Sequence, residues 1–527
     1  MLDEHYLVRN KHFAPPEPRH YVPEQPMYTA VFPLSRTLAR FNDLHTANRI
    51  TSANSVTLYR DDLFGQEFAA SFFVSEPVHN LVHRQVMSRR GATFTSRRPD
   101  DERDREFLAS SDNWFRPTSL RIGPDGALWI ADMYRAVIEH PEWIPDEWEK
   151  RLDLRAGHDK GRFYRVRPVG VPPRPIPRLD KLDTAGLVAA LDSPNGWQRD
   201  LVQRMLLWRK DAAAVPLLEK AASTGAVSPL ARLHAICTLD GLGALRPEVL
   251  APRFDDSYPG VRRHAVRLAE SLVAKSPLLA DKLLEAAAVE GHPQIQLQTA
   301  YSLGQWNDPR AGRALGTLAV LVAEDEYLTA AVLSSVNRQN IEQVLAGAFA
   351  ERQGKPVANR LVGQLLRLSA ALGADEALAG VLATVTQPAG NEYQPWQMTA
   401  LAGVLDELAR RGIAPQQLRT KSPDKLKQTT DSIQAMILAA RRWVESAEAD
   451  DDRRAAAIGL LGREAEHRAR DIAALASLLG PQSGDHLQRA ALERLARLED
   501  DAAARALLAG WKTYSPRLRG QVLDALL

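Results

Sequence analysis

Tyr258-Pro259-Gly260-Val261-Arg262-Arg263-His264-Ala265-Val266-Arg267-Leu268-Ala269-Glu270-Ser271-Leu272 is the stretch whose reading decides the fold of the longer part of this chain. Proline is welcome at the first helical position, because the N–H it lacks would be unpaired there anyway. Behind it, Val261, Ala265, Leu268, Ala269 and Leu272 fall at the spacing of one helix face. The same start recurs at Ser193-Pro194-Asn195-Gly196-Trp197-Gln198-Arg199, Ser228-Pro229-Leu230-Ala231-Arg232, His292-Pro293-Gln294-Ile295-Gln296 and Ser515-Pro516-Arg517-Leu518-Arg519. In each, an apolar residue is followed closely by a basic or polar one. The first four starts lie about 30–35 residues apart, a solenoid period. Such a unit buries its apolar face only against neighbours, so the sequence predicts a stack of helix pairs over 182–338. Units without the proline occur at Asp452-Arg453-Arg454 and His486-Leu487-Gln488-Arg489. Between Gln339 and Glu448 the period blurs, with breaks at Gln387-Pro388-Ala389-Gly390 and Lys421-Ser422-Pro423, so 339–527 reads as further α-helical repeats.

Upstream, the composition changes. Of the 13 Phe, 11 lie before residue 180, as do 6 of the 11 Tyr and 8 of the 13 His, which moves that part from helix toward strand and loop. Residues 1–50 are rich in Pro and His, as in Phe13-Ala14-Pro15-Pro16 and Val22-Pro23, and read as an irregular segment. Between 51 and 167, β-rich runs at Ser55–Tyr59, Ala69–Val74, Val78–Met87, Ser119–Ile122, Ala127–Met133 and Arg162–Arg167 are bounded by turn residues. Gly123-Pro124-Asp125-Gly126 between two of them is a hairpin turn. The prolines of 168–181 exclude helix and central strand and predict a stiff linker.

The 527 residues carry 67 Lys and Arg against 65 Asp and Glu, a net charge of +2, so no nucleic-acid partner is expected. A single cysteine, Cys237, excludes an intrachain disulfide and a CxxCH haem motif, and reads as a small buried hydrophobe. No run reaches the ~18 apolar residues of a transmembrane segment. Met1 to Asn10 carries Asp3, Glu4 and Arg9 and has no signal-peptide core.

The densest polar cluster runs Ser110-Ser111-Asp112-Asn113-Trp114-Phe115-Arg116-Pro117, Asp132-Met133-Tyr134-Arg135 and Glu139-His140-Pro141. Strand parity puts Leu128, Ile130, Asp132 and Tyr134 on one face, so an apolar strand side ends in a carboxylate and a phenol. Two readings stand: Asp132 bonds the next turn and pairs with Arg116 or Arg135, or these groups line a site. His79 and His83 have an i,i+4 spacing but lie in a strand-like segment with no third ligand in view, so no metal site is assigned.

Glu76-Pro77-Val78-His79-Asn80-Leu81-Val82-His83-Arg84, Glu106 to Pro117, Gly123 to Trp129, Asp132 to Pro141 and Gly161-Arg162-Phe163-Tyr164-Arg165-Val166 together resemble one family. It is the large membrane-bound dehydrogenase-like proteins of Planctomycetes and Verrucomicrobia, which join a six-bladed β-propeller similar to glucose/sorbosone dehydrogenases to HEAT-like repeats and a cytochrome segment. The resemblance covers about residues 28–168. It departs at Asn54-Ser55, where the family has Cys-Gly, and 180 residues are too few for six blades at roughly 40 each. It implies an α+β multidomain chain, a partial β-propeller of few blades followed by an α-solenoid of HEAT-like helical repeats, read as a fragment or split gene product. It further implies an oxidoreductase acting on a sugar or alcohol, incomplete alone, with pyrroloquinoline quinone as the cofactor candidate and the periplasm as the compartment. Missing blades or a haem segment would sit on another chain. Asp132 and His140 would then be proton acceptors, and Arg116, Tyr134, Arg135 and Glu139 cofactor-lining. The alternative is a non-catalytic HEAT-repeat scaffold that binds a partner protein through its helices.

Overall fold

The computed structural model describes residues 3–13, 15–16, 30–36, 48–140, 142, 144–223, 225–352, 356–388, 390, 392–414, 417, 423–446, 448–498 and 500–526. Val22-Pro23, Pro141 and Lys421-Ser422 lie outside them. Two compact units emerge: Glu17–Leu279 with Pro293–Ile295, and Leu2–Pro16 with Ala280–His292 and Gln296–Leu527. A short helix, α1 (Glu4–Leu7), belongs to the second.

In the first unit, β1 (Asn54–Leu58), β2 (Ser71–Glu76), β3 (Leu81–Arg90) and β4 (Thr93–Arg97) form an antiparallel sheet in that order, and β5 (Leu108–Ala109) also pairs with β3. A second antiparallel sheet runs β6 (Pro117–Ile122), β7 (Leu128–Asp132), β8 (Arg162–Val166). Phe73 and Val82 from one sheet and Leu120, Ile122, Leu128 and Ile130 from the other enter a single core with Tyr59, Phe64 and Phe115. Edge groups of β6 are met by side chains of β1: Leu120 N–H donates to Ser55 Oγ at 2.6 Å, and Thr57 Oγ1 donates to Leu120 O at 2.8 Å. This corrects the expected partial β-propeller. Propeller blades are four-stranded sheets set around a channel, whereas these are open sheets of five and three strands that bury their faces on each other's side chains.

After α2 (Asp146–Glu149), the first unit continues with α3 (Thr184–Ala190), α4 (Gly196–Arg209), α5 (Ala214–Ser223), α6 (Pro229–Gly241), α7 (Pro247–Leu250) and α8 (Pro259–Ala269). Alternate helices pack, α3 on α5 and α4 on α6 and α8 on α6, giving two layers. The basic or polar residue of each start has a use here: it reaches back to a carbonyl just before its own helix. Arg199 donates to Ser193 O at 2.6 Å, Arg232 to Val227 O at 2.9 Å, Arg262 to Asp256 O at 2.9 Å and Gln296 to Glu290 O at 2.8 Å. Each start therefore ties down the loop that enters its helix.

The α4 start also holds the sheets. Asn195, rather than Ser193, caps the helix, its Oδ1 accepting from Gln198 N at 2.9 Å. Its Nδ2 donates to Gly123 O at 2.8 Å and Asp61 Oδ2 at 2.7 Å, which pins the Gly123–Gly126 turn. Gly196 N donates to Arg60 O at 2.7 Å, and Arg60 forks onto Asp200.

The boundary between the units falls inside α9 (Pro277–Val289). The second unit follows as α10 (Pro293–Leu303), α11 (Pro309–Leu321), α12 (Glu326–Ser335), α13 (Ile341–Arg352), α14 (Pro356–Ala371), α15 (Asp375–Val385), α16 (Pro395–Arg410), α17 (Pro423–Glu445), α18 (Asp451–Ile458), α19 (Arg468–Ser477), α20 (Asp485–Ala496), α21 (Asp501–Ala509) and α22 (Pro516–Leu526). One layer is α14-α16-α18-α20-α22 and the other α13-α15-α17-α19-α21, each helix packing on the next in its layer. Helices α11 and α13 approach backbone to backbone: a Cβ on Gly316 would lie 2.1 Å from Val344 O, and one on Gly347 would lie 2.2 Å from Arg313 O. The N-terminal segment docks on this unit, with Tyr6 stacked on Tyr301 at 4.4 Å and Asn10 donating to Leu333 O at 2.9 Å. Among the described residues no helix is long and apolar enough to cross a membrane.

Two measurements test this architecture. Asn195→Ala should lower stability by about 2 kcal/mol, a lost cap plus two orphaned partners. Asn195→Asp should be at least as damaging in a urea melt, because it keeps the cap acceptor but sets a carboxylate against Asp61 and Gly123 O; full stability in the Asp variant would refute the role given to the amide. The second concerns His234 on α6 and His264 on α8, both pushed down to about 4, first by burial, then by Arg199 beside His234 and by Arg267 and Arg263 beside His264. Asp200 opposes the shift at His234. The unfolded chain, with histidines near 6.5, takes up protons first. Stability is therefore greatest above about pH 6.5 and should fall as pH drops toward the folded values near 4. Melting at pH 7.5 and 5.5 should show that fall, flattened in His234→Gln; no change on acidification would contradict buried neutral imidazoles.

Candidate functional site

The six residues singled out for chemistry in the β region have well-defined partners. Buried Asp132, at the end of β7, accepts from Arg116 N at 2.7 Å and Tyr134 N at 2.8 Å through Oδ1, and from Arg162 Nε at 3.2 Å through Oδ2. Tyr134 takes a left-handed backbone with φ of +49°, and the Arg162 guanidinium lies 3.6 Å from its ring centre. The buried guanidinium of Arg116 donates to Arg135 O at 2.9 Å, Pro77 O at 2.8 Å and Ala136 O at 2.8 Å. Arg135 donates to Leu154 O at 3.2 Å. Glu139 accepts from Ile138 N at 3.2 Å, and His140 is exposed, 4.0 Å from Glu142. Arg116, Asp132 and Tyr134 are thus brought together, while His140 stands apart in solvent. These groups do not fit a quinone: the guanidinium that would meet its carboxylates is bound to main-chain carbonyls, and both Asp132 oxygens are engaged. Histidines 79 and 83 bond Glu76 at 3.3 Å and Glu106 at 2.7 Å. Among the described residues no three His, Cys, Asp or Glu side chains are grouped to hold a metal ion.

A different site lies in the second unit. Residues of α14, α16 and α17, the turn after α18, the start of α19 and the end of α20 line a groove of about 1330 Å³. Six arginines line it, Arg367, Arg410, Arg463, Arg468, Arg494 and Arg497, with two carboxylates, Asp406 and Glu464, and an apolar floor including Leu405, Ile413, Ile433, Ile437 and Leu498. Asp406 serves three of the arginines: Arg463 at 2.7 Å, Arg497 at 3.1 Å and Arg494 at 3.6 Å. Glu464 faces Arg441 at 2.6 Å, and Arg410 pairs with Glu407. Carbonyls take further donors, Arg463 bonding Ala402 O at 3.0 Å and Arg494 bonding Leu461 O at 2.8 Å.

Charge is incompletely balanced. Burial, then Arg463, hold the Arg494 guanidinium down to about 10. Burial lowers Arg463 as well, with Arg497 acting in the same direction against Asp406, and burial followed by Arg410 lowers Arg367. Arg468 Nε is buried without a partner among the described residues. Sequence reasoning assigned none of the groove arginines a role. The available signal was an arginine at or just past the ends of α16, α18 and α20, at Arg410, Arg463 and Arg497.

A family profile described as "Domain of unknown function (DUF7133)" matches residues 1–170. No functionally curated protein matches the chain. Among solved structures, karyopherin Kap121p bound to RanGTP is similar at 16% identity and a TM-score of 0.44, over 66% of this chain and 41% of that one. Kap121p bound to Nup53p gives 17%, 0.42, 66% and 41%. The Chaetomium thermophilum cohesin loader SCC2, C-terminal fragment, gives 15%, 0.23, 64% and 34%. The chain spans about two fifths of the length of these Kap121p structures.

The fold corrects the dehydrogenase resemblance. The sheets on which the resemblance rested share one core instead of forming blades. The oxidoreductase assignment and its propeller fall together. The helical-repeat assignment remains.

Removing Asp406 tests the charge balance of the groove. Asp406→Ala should destabilise the protein by about 2 kcal/mol, since three guanidinium groups lose a shared acceptor, and added sulfate should restore more of the lost melting temperature than it adds to the unaltered protein. An unchanged melting temperature would show that the arginines do not depend on this carboxylate.

Proposed function

We propose that this chain is a partner-binding scaffold in which the helical stack of the second unit receives a segment of another protein. The observation that carries the reading is the groove itself. At about 1330 Å³ it exceeds the ~300–1,000 Å³ usual for small-molecule pockets, and it mixes an apolar floor with arginines, the side chains that interfaces favour. Helices α14, α16, α17, α19 and α20 and the turn after α18 contribute to it, so a bound segment would contact several repeats at once, the mode by which stacked helix pairs hold extended ligands.

The test is hydrogen exchange on the full chain, alone and with a purified partner whose binding has been verified in both directions. Slowed exchange in α16, α17 and α20 is expected. A verified partner whose protection is confined to 54–166, the two sheets, would overturn the reading.

A further inference from the structure

We propose that the segment received by the groove is acidic, with Asp and Glu side chains interleaved with apolar ones. This deepens the scaffold reading and rests on it. Three observations converge. Among the described residues the six groove arginines meet four carboxylates: Asp406, shared by Arg463, Arg494 and Arg497, Glu407 on Arg410, Asp500 at 3.9 Å from Arg468, and Glu464, which already faces Arg441, so guanidinium groups remain in excess. Arg367 is shifted by burial and by the like charge of Arg410 more than Asp406 and Glu407 offset, and Arg468, whose Nη1 lies 3.9 Å from Asp500, has a buried Nε without a partner among the described residues. A planar guanidinium with free donors matches a carboxylate in two parallel hydrogen bonds. Burial first, and then the like charge of neighbouring arginines, lowers the affinity of Arg367, Arg463 and Arg494 for their protons, and an incoming carboxylate would offset the second of these.

The floor decides between acidic protein and nucleic acid. Isoleucines 413, 433 and 437 offer contact to aliphatic side chains, and among the described residues no aromatic side chain lines the groove on which a base could stack. The whole chain, at a net charge of +2, lacks the basic excess of a nucleic-acid binder.

The experiment is fluorescence anisotropy on the full chain with a labelled peptide in which Glu and Asp alternate with Leu. Binding that weakens with added salt is expected, with an affinity about tenfold lower in Arg410→Glu/Arg497→Glu. Both residues are exposed, and a thermal melt checks that the double variant folds. Should it not fold, Arg367→Met, which keeps the side-chain stem, is expected to lose affinity at unchanged melting temperature. Equal affinity in a folded variant, no binding by the unaltered protein, or tighter binding of a single-stranded oligonucleotide of the same charge would each overturn the inference. If the peptide fails while a verified partner still protects α16, α17 and α20, the acidic occupant is wrong and the scaffold stands. If that partner protects only the sheets, the scaffold fails too.

Discussion

Within the first unit, one amide joins the sheets to the helices. Asn195 offers an acceptor and two donors from a single short side chain, and all are engaged: Oδ1 on the first turn of α4, Nδ2 on Gly123 O and on Asp61. Aspartate could cap the helix but not hold the turn, and serine could not reach in both directions. The Gly123–Gly126 turn is in consequence both the connection between β6 and β7 and the seat of α4. Gln198, one turn into the helix, adds a bond to Pro124 O at 2.6 Å. The proline-rich stretch after Arg167 does not separate two bodies here. It returns Arg174 to Asp61 at 2.9 Å and Asp62 at 2.5 Å, and the boundary between the compact units falls over a hundred residues later, at Leu279.

What could be read from the sequence was local. A proline-led start and its capping residue act within a few residues of each other, so α6, α8, α10 and α22 begin where the motif places them. Alternation exposed most strands, but β4 is polar and flanked by arginines, and β5 is two residues long. The propeller expectation failed at a non-local step. Blades and paired open sheets use the same short strands and turns, and what distinguishes them is which faces share a core. That Phe73 and Leu120 enter one core cannot be inferred from either strand alone.

The polar cluster of the β region is ambiguous for a related reason. A dense run of polar residues beside strand ends, such as Asp112 to Arg116 with Asp132 to Arg135, resembles a site and equally resembles what irregular backbone needs. Loops carry carbonyls and N–H groups that must be paired once buried, and Arg116 and Asp132 pair them. The groove arginines, by contrast, are scattered from 367 to 497, and only the stacking of the helices gathers them.

A structural account of that gathering deserves the first hearing, because arginine near a helix C-terminus interacts favourably with the helix dipole and bonds its last carbonyls. Arg463 bonds Gly459 O at the end of α18, and Arg410, Arg494 and Arg497 lie at the ends of α16 and α20. That covers four of the six. It leaves Arg367, in the interior of α14 beside the like charge of Arg410, and Arg468, at the start of α19, whose buried Nε has no partner among the described residues. Asp406 holds the arginines around it, yet like charges packed together in partly buried surroundings repel one another. A surplus of guanidinium groups over an apolar floor is the complement of a segment that brings further carboxylates.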